Sequence, residues 1–220
     1  MDYEFLSKTM LFSGDSPEEI KTMLDCLGAA KKRYAKSEVI YHAGETVSSM
    51  GIVLSGSVRI ENDDLWGNHS ILDSIPPGFV FAETYASLGD EPLMVTVTAT
   101  RDTEVLFLNV KRLLKTCPNS CAHHSKFIQR LFMVSAQKNL NLSRRIFHTT
   151  PKSIRGRLLS YLSFQASAQG SLDFTIPFNR QQLADYLNVE RSALSGELGK
   201  MQREGLLKTE KNHFTLYEIR

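Results

Sequence analysis

The chain has 220 residues, 42% of them hydrophobic and 23% charged, with a net charge of +2; this is the balance of an ordinary globular protein with room for two small domains. No run of about 18 apolar residues is present, which excludes a membrane-spanning helix, and the acidic start Met1-Asp-Tyr-Glu-Phe-Leu6 has neither the basic nor the long apolar region of a signal peptide. The three cysteines, Cys26, Cys117 and Cys121, make no disulfide framework, and the expected location is a reducing cytoplasm.

Residues 16–30 read as a helix, with Ser16 as its cap, Pro17 in the first turn and Glu18-Glu19 near the positive end of the helix dipole. From residue 39 to 109 the texture changes to short β-rich runs: Val39-Ile-Tyr41, Gly51 to Ile60, His69 to Leu72, Phe79-Val-Phe81, Leu93 to Ala99 and Glu104 to Leu108. Turn signals recur about every ten residues, at Ala43-Gly-Glu45, Leu54-Ser-Gly-Ser57, Asn62-Asp-Asp64, Pro76-Pro-Gly78 and Gly89-Asp-Glu-Pro92. Many short strands at this spacing predict an all-β sandwich or barrel.

A long helix is predicted over 119–147. Ile128, Phe132, Ser135, Asn139, Leu142 and Ile146 recur at alternating steps of four and three, a heptad seam with two polar residues at its middle. A helix of this length does not bury itself within one small domain. The seam reads as a dimer contact, in which a central asparagine can fix register at some cost in stability; packing of the helix on its own β-domain is the alternative. A second helix is predicted from about Pro151, with Ile154, Leu158, Leu159 and Leu162 on one face, and 164–172, rich in Ser, Ala, Gln and Gly, reads as a loop.

The last quarter of the chain reads as two helices around a tight turn. Leu183, Leu187, Val189, Leu194 and Leu198 hold the helices together, Ala184 permits a close crossing, and Asn188 suits a left-handed turn. Gly205 stops the second helix, and Leu206 to Thr209 and Phe214 to Tyr217 are strand-like runs around the turn Glu210-Lys-Asn212. This is the pattern of a winged helix-turn-helix, which presents its second helix to the DNA major groove. Charge agrees with it: residues 1–118 hold 11 Lys/Arg against 17 Asp/Glu, whereas 119–220 hold 15 against 7. A basic second half is expected if only that half approaches phosphates.

Other chemistry has little support. Cys117 and Cys121 flank only Pro118-Asn-Ser120, with Cys26 distant, so no iron–sulfur cluster is expected; a redox pair at 117 and 121 is a minor hypothesis. His42 and His69 suggest a cupin-like metal site, but there is no His-x-His pair and no evident third ligand, and adjacent His123 and His124 point in different directions on a helix. No metal is expected. No nucleophile elbow or phosphate loop supports an enzyme.

The order β-barrel, long seam helix, winged helix resembles the Crp/Fnr family of bacterial transcription regulators. The stretches that carry the resemblance are Ala43-Gly-Glu45, Gly51-Ile-Val-Leu-Ser-Gly-Ser-Val58, Pro77-Gly78 followed by Ala82-Glu83, Asp102-Thr-Glu-Val105, and Arg191-Ser-Ala-Leu-Ser195 with Glu204-Gly-Leu-Leu207. The resemblance implies an α+β chain: an N-terminal cyclic-nucleotide-binding-type β-roll (jelly roll) over 1–118, a dimerisation helix over 119–148 and a winged helix-turn-helix over 149–220. It implies a homodimer, a palindromic operator in double-stranded DNA, a small effector, and RNA polymerase as a further partner where regulation is activation.

Two departures from the family pattern matter. Cyclic-AMP-binding members follow a Gly-Glu pair with an Arg-Ser that grips the cyclic phosphate; here Ala82-Glu83 and Leu93-Met94 stand in those places. A buried phosphate without a guanidinium is poorly compensated, so cyclic AMP is not the expected effector. The expected effector region is Gly78, Ala82, Glu83, Leu93 and Met94, with Phe127, Leu131 and Val134 from the long helix, although core packing also accounts for those three. Many members also have Ser-Arg where this chain has Ser195-Gly196, which removes a bidentate guanine contact. Arg191, Ser192 and Ser195 are the expected base or phosphate contacts, with Arg180, Gln181 and Lys200 on phosphates. Two further readings stay open: a constitutive DNA binder with a filled pocket, and a ligand sensor whose DNA binding has decayed.

Overall fold

The computed structural model describes residues 1–63, 66, 69–114 and 122–217. Cys117 and Cys121, the expected division at 118/119, the first residues of the expected long helix and the end of the turn at Asp64 lie outside the described residues, as do the side chains of His69, His123 and His124. The chain forms two compact units, Met1–Ala136 and Gln137–Arg220.

The first unit opens with α1 (Tyr3–Ser7) and α2 (Pro17–Leu27). Ser16 caps α2 as expected: its hydroxyl accepts from the Glu19 amide while the Glu19 carboxylate accepts from the Ser16 amide, closing a reciprocal cap. The helix ends earlier than the expected residue 30, because Gly28 takes a left-handed conformation. Eight strands follow: β1 (Ala30–Tyr34), β2 (Val39–Tyr41), β3 (Ser49–Ser55), β4 (Val58–Asp63), β5 (His69–Ile75), β6 (Val80–Phe81), β7 (Thr96–Ala99) and β8 (Thr103–Asn109), with α3 (Glu83–Leu88) between β6 and β7 and α4 (Val110–Leu114) after β8.

The strands make two antiparallel four-stranded sheets, ordered β1-β8-β3-β6 and β2-β7-β4-β5. Val53, Phe81, Val105 and Phe107 from the first meet Ile40, Val58, Ile75, Val97 and Ala99 from the second in one buried core. The other face of the first sheet is buried too: Met50, Ile52, Leu106 and Leu108 pack with Leu6, Phe12, Ile20 and Met23 of the N-terminal segment. Burial on both faces explains why β3 and β8 are continuous apolar runs rather than alternating ones. Gly51 is required here, since a Cβ would lie 2.2 Å from Cζ of Phe81. β1 has no apolar signal; its Lys31 and Arg33 each reach Glu104 on β8 at 2.6 Å and hold that carboxyl below the usual carboxylate range.

The long helix α5 (Ala122–Thr149) and α6 (Ile154–Gln169) come next, then β9 (Asp173–Thr175), α7 (Arg180–Leu187), α8 (Arg191–Arg203), β10 (Leu207–Glu210) and β11 (His213–Leu216). The stretch expected as a loop at 164–172 is instead helical through Gln169. Ala166 is buried, and the chain stops only at Gly170, in the left-handed region; the Ser, Ala and Gln content is compatible with helix once a side chain there is packed. β10, β11 and the unexpected β9 form a three-stranded sheet in the order β10-β11-β9. Leu158, Tyr161 and Leu162 of α6 pack with Leu183, Leu187, Leu194, Leu198, Met201 and Phe214 as the core of the second unit.

Candidate nucleic-acid interface and effector region

Asn179 caps α7, its side chain accepting from the Gln182 amide while Gln182 accepts from the Asn179 amide. Asn188 ends α7 in the left-handed region, with φ of 53°, and Val189 and Glu190 lead into α8. This is the expected helix-turn-helix. Leu194, Leu198 and Met201 bury one face of α8, and its opposite face exposes Arg191, Ser192, Ser195, Gly196 and Lys200. At Gly196 a Cβ would meet nothing within 4 Å.

A groove of about 620 Å³ beside this face is lined by Arg180, Gln181 and Arg191 together with Lys211 and Asn212 of the β10–β11 turn. The structure thus brings three of the expected residues together and leaves Ser192, Ser195 and Lys200 along the exposed face of α8. Arg180 is not a free cation. Its Nη2 donates to the Thr209 hydroxyl at 2.7 Å, its guanidinium lies 5.1 Å over the Phe214 ring, and burial lowers its pKa. Gln181 donates to the Asp185 carboxylate at 2.8 Å. Lys200 lies 3.7 Å from Glu197. Lys211, at the centre of the turn with φ of 53°, is the cation that sequence reading passed over; its place in a tight turn between two strand-like runs was the available signal.

Arg155 of α6 sets the back of α8. Its Nε donates to Glu197 at 2.6 Å and its Nη2 to Glu204 at 2.8 Å, and these two carboxylates hold its proton more firmly than usual, Glu204 more than Glu197. The middle and the C-terminal end of α8 are therefore tied to α6.

In the first unit, Gly78 is half-buried in the turn before β6. Ala82 precedes α3 with φ of 59°, a left-handed conformation that costs a non-glycine residue roughly 1–2 kcal/mol. Glu83, the first residue of α3, is buried. Leu93 is fixed by its backbone, its amide donating to the Glu45 carbonyl at 2.8 Å and its carbonyl accepting from the Gly44 amide at 2.7 Å. Its side chain is buried in the same cluster as Phe127, Leu131 and Val134 of α5, and the Phe12 ring lies 5.4 Å from that of Phe127. Met94, expected beside Leu93 on an apolar wall, is instead 73% exposed. Leu93 lies outside any strand and Met94 in the bend before β7, where the chain turns the Met94 side chain outward. Among the described residues, no group of three or more His, Cys, Asp or Glu is placed to hold a metal ion, and no helix is long and apolar enough to cross a membrane.

Two family models match in tandem: the cyclic nucleotide-binding domain over residues 31–120 and the Crp-like helix-turn-helix domain over residues 156–219. The chain belongs to the Crp/Fnr family. It is a DNA-binding transcription regulator of that family, and its cyclic nucleotide-binding domain indicates control by a small molecule. Among its Crp/Fnr relatives, the CRP-like cAMP-activated global transcriptional regulator of Mycobacterium tuberculosis is 24% identical over 212 residues, covering 94% of this chain and 92% of the relative. Two solved structures share the fold: the c-di-GMP-responsive regulator CLP of Xanthomonas campestris (17% identity, 93% of this chain and 100% of that one, TM-score 0.59) and CprK in complex with OCPA (17% identity, 90% and 92%, TM-score 0.66).

Proposed function

We propose that the chain acts as a homodimer that reads a palindromic operator, with one recognition helix α8 per half-site. The observation that carries this reading is the seam of α5. Ile128, Phe132, Leu142 and Ile146 are 40%, 73%, 60% and 64% exposed, a long apolar stripe that a second copy would remove from water. Arg191, Ser192 and Ser195 are the residues proposed to meet base edges or phosphates, and Arg191, Gln181 and Lys211 of the groove, with Lys200, are proposed to track the backbone. Arg180 acts there as a half-buried strut that positions the groove. In vitro selection from random duplex DNA at near-physiological salt tests the reading. Enrichment of a palindrome with half-sites about ten base pairs apart supports it, and purely non-specific, salt-sensitive binding by a monomer refutes it.

The effector we infer is not a cyclic nucleotide phosphate. The position that grips cyclic AMP in the binding members holds Leu93, and a buried phosphate beside it would lack a cation. The same argument sets the chain apart from its cAMP-activated and c-di-GMP-responsive relatives, and favours an apolar, uncharged effector. One observation favours a second reading, a constitutive binder whose pocket is filled: Leu93, Phe127, Leu131 and Val134 pack in one buried cluster with Leu6, Leu11 and Phe12. Thermal shift separates the two, since a ligand selective for the folded state raises its melting temperature.

A further inference from the structure

The last turn of α7 is held from outside by two guanidinium groups. Arg145, near the C-terminal end of α5, donates from Nη2 to the Asp185 carbonyl at 2.9 Å and from Nε to the Tyr186 carbonyl at 3.1 Å, and its guanidinium lies 5.8 Å over the Tyr186 ring. Arg157, on α6, takes the next two carbonyls through Nη1, Leu187 at 3.1 Å and Asn188 at 2.8 Å, while its Nε donates to the Pro151 carbonyl at 2.9 Å. Four successive carbonyls at the negative end of the α7 dipole therefore face two cations, in charge-assisted bonds stronger than neutral ones. Asn188 is the turn of the helix-turn-helix, so what is gripped is the point from which α8 departs.

The two arginines differ in where they come from. Arg157 ties the turn to α6, within the core of the DNA-binding domain. Arg145 ties it to α5, the helix that carries the seam, and Ile146 and Leu142 of the seam stand one and three residues away. Toward α7, His148 of the same turn of α5 adds ring packing, its centroid 6.3 Å from that of Tyr186; toward α6 it packs on Tyr161 at 5.6 Å and its Nδ1 lies 2.9 Å from the Ser160 hydroxyl. Ring packing tolerates sliding, whereas paired hydrogen bonds from a planar fork to two successive carbonyls fix direction. We propose that Arg145 is the positioning residue through which α5 sets the orientation of the helix-turn-helix, and so of α8. This rests on the dimeric operator reading above.

The test compares wild type, Arg145→Gln, Arg145→Lys and Arg157→Gln, each confirmed folded by circular dichroism at the assay temperature. Affinity is measured for the operator selected by the wild type and for a scrambled duplex across a salt series. Arg145→Gln is expected to weaken operator binding by about tenfold, a usual size for coupled sites, with scrambled-duplex binding within about twofold of wild type and an unchanged salt slope. Arg145→Lys recovers part of the loss, because an ammonium reaches only one of the two carbonyls at good geometry. Unchanged operator affinity in Arg145→Gln with only a lower melting temperature overturns the proposal. So does an equal loss on both duplexes with a salt slope reduced by about one, which marks a phosphate contact. Should Arg145→Gln melt below the assay temperature, Arg145→Lys decides: operator affinity equal to wild type overturns the proposal, and a loss confined to the operator supports it. Failure of the wild type to select any operator is a different result and refutes the dimeric reading itself.

Discussion

Gly196 gives the sharpest handle on how α8 reads DNA. It lies inside a thirteen-residue helix, has no positive φ, and a Cβ built on it meets nothing within 4 Å. Glycine in such a place costs about 0.5–1 kcal/mol relative to alanine, so Gly196→Ala is expected to stabilise by that amount. For a unit the size of Gln137–Arg220 this raises the melting temperature by roughly 2–8 °C, at about 4–8 °C per kcal/mol. Gly196→Arg keeps that gain, since arginine is nearly as good a helix former as alanine, and places a guanidinium on the exposed face beside Ser192 and Ser195. A bidentate contact with guanine discriminates by about 1–3 kcal/mol, which is roughly 5- to 150-fold in affinity. The assay is parallel selection with wild type and Gly196→Arg, followed by fluorescence anisotropy on the two enriched duplexes. Gly196→Arg should enrich a guanine in each half-site that the wild type ignores. If it enriches the wild-type operator unchanged, position 196 does not face the bases; if Gly196→Ala lowers the melting temperature, the site is not open.

Three other outcomes follow from the same geometry. Phe132→Glu places like charges across the seam and forfeits two symmetry-related phenylalanines at roughly 1.5–3 kcal/mol each; sedimentation should show a monomer that has lost the operator, and an intact dimer would mean the seam lies elsewhere. His148 is buried, with Nδ1 2.9 Å from the Ser160 hydroxyl, and burial first, then Arg144, hold its pKa below 6.5. Its stability contribution is therefore full above pH 6.5 and is lost as pH falls through the lower folded-state value, because the unfolded chain takes the proton first; denaturant midpoints measured from neutral to acidic pH should fall, and should fall less in His148→Phe. Leu93→Arg puts an uncompensated guanidinium into an apolar cluster and is expected to cost roughly 3–5 kcal/mol without creating cyclic AMP binding; a folded variant stabilised by cyclic AMP in thermal shift would show that the pocket is open rather than filled.

Much of this architecture is legible in the chain because burial writes itself into residue type. β3 and β8 read as strands since both faces are apolar, and the helix-turn-helix reads clearly since Leu183, Leu187, Leu194 and Leu198 face one core. What was missed lacks that signature. β1 is almost wholly exposed and is held by Lys31 and Arg33 on Glu104, partners seventy residues away in sequence that no local pattern contains. The far half of α6 resembles a loop in composition, and only the burial of Ala166 and the left-handed Gly170 show otherwise. At the candidate interface, residue type gave a list of cations but not their occupancy: Arg180 is engaged by Thr209 and Phe214 across the wing sheet, whereas Lys211 owes its position to a turn geometry that the sequence only hints at.

The sensor domain separates backbone from chemistry in a way that bears on its effector. Gly44 and Glu45 hold Leu93 through two backbone hydrogen bonds, and Ala82, which stands where the family pattern has glycine, adopts a left-handed conformation. Those features do not depend on the side chain at position 93, so replacing a guanidinium there by leucine leaves the turn intact while removing the cation that an anion needs. A left-handed alanine carries a cost of roughly 1–2 kcal/mol, and such strain persists only where the surrounding structure over-determines it; here Phe81 is locked in the sheet core on one side and α3 begins with buried Glu83 on the other. The strain is thus a property of this frame. On the proposed reading, an effector at this site would meet leucine, phenylalanine and valine surfaces and would displace apolar packing such as that of Phe12 on Phe127.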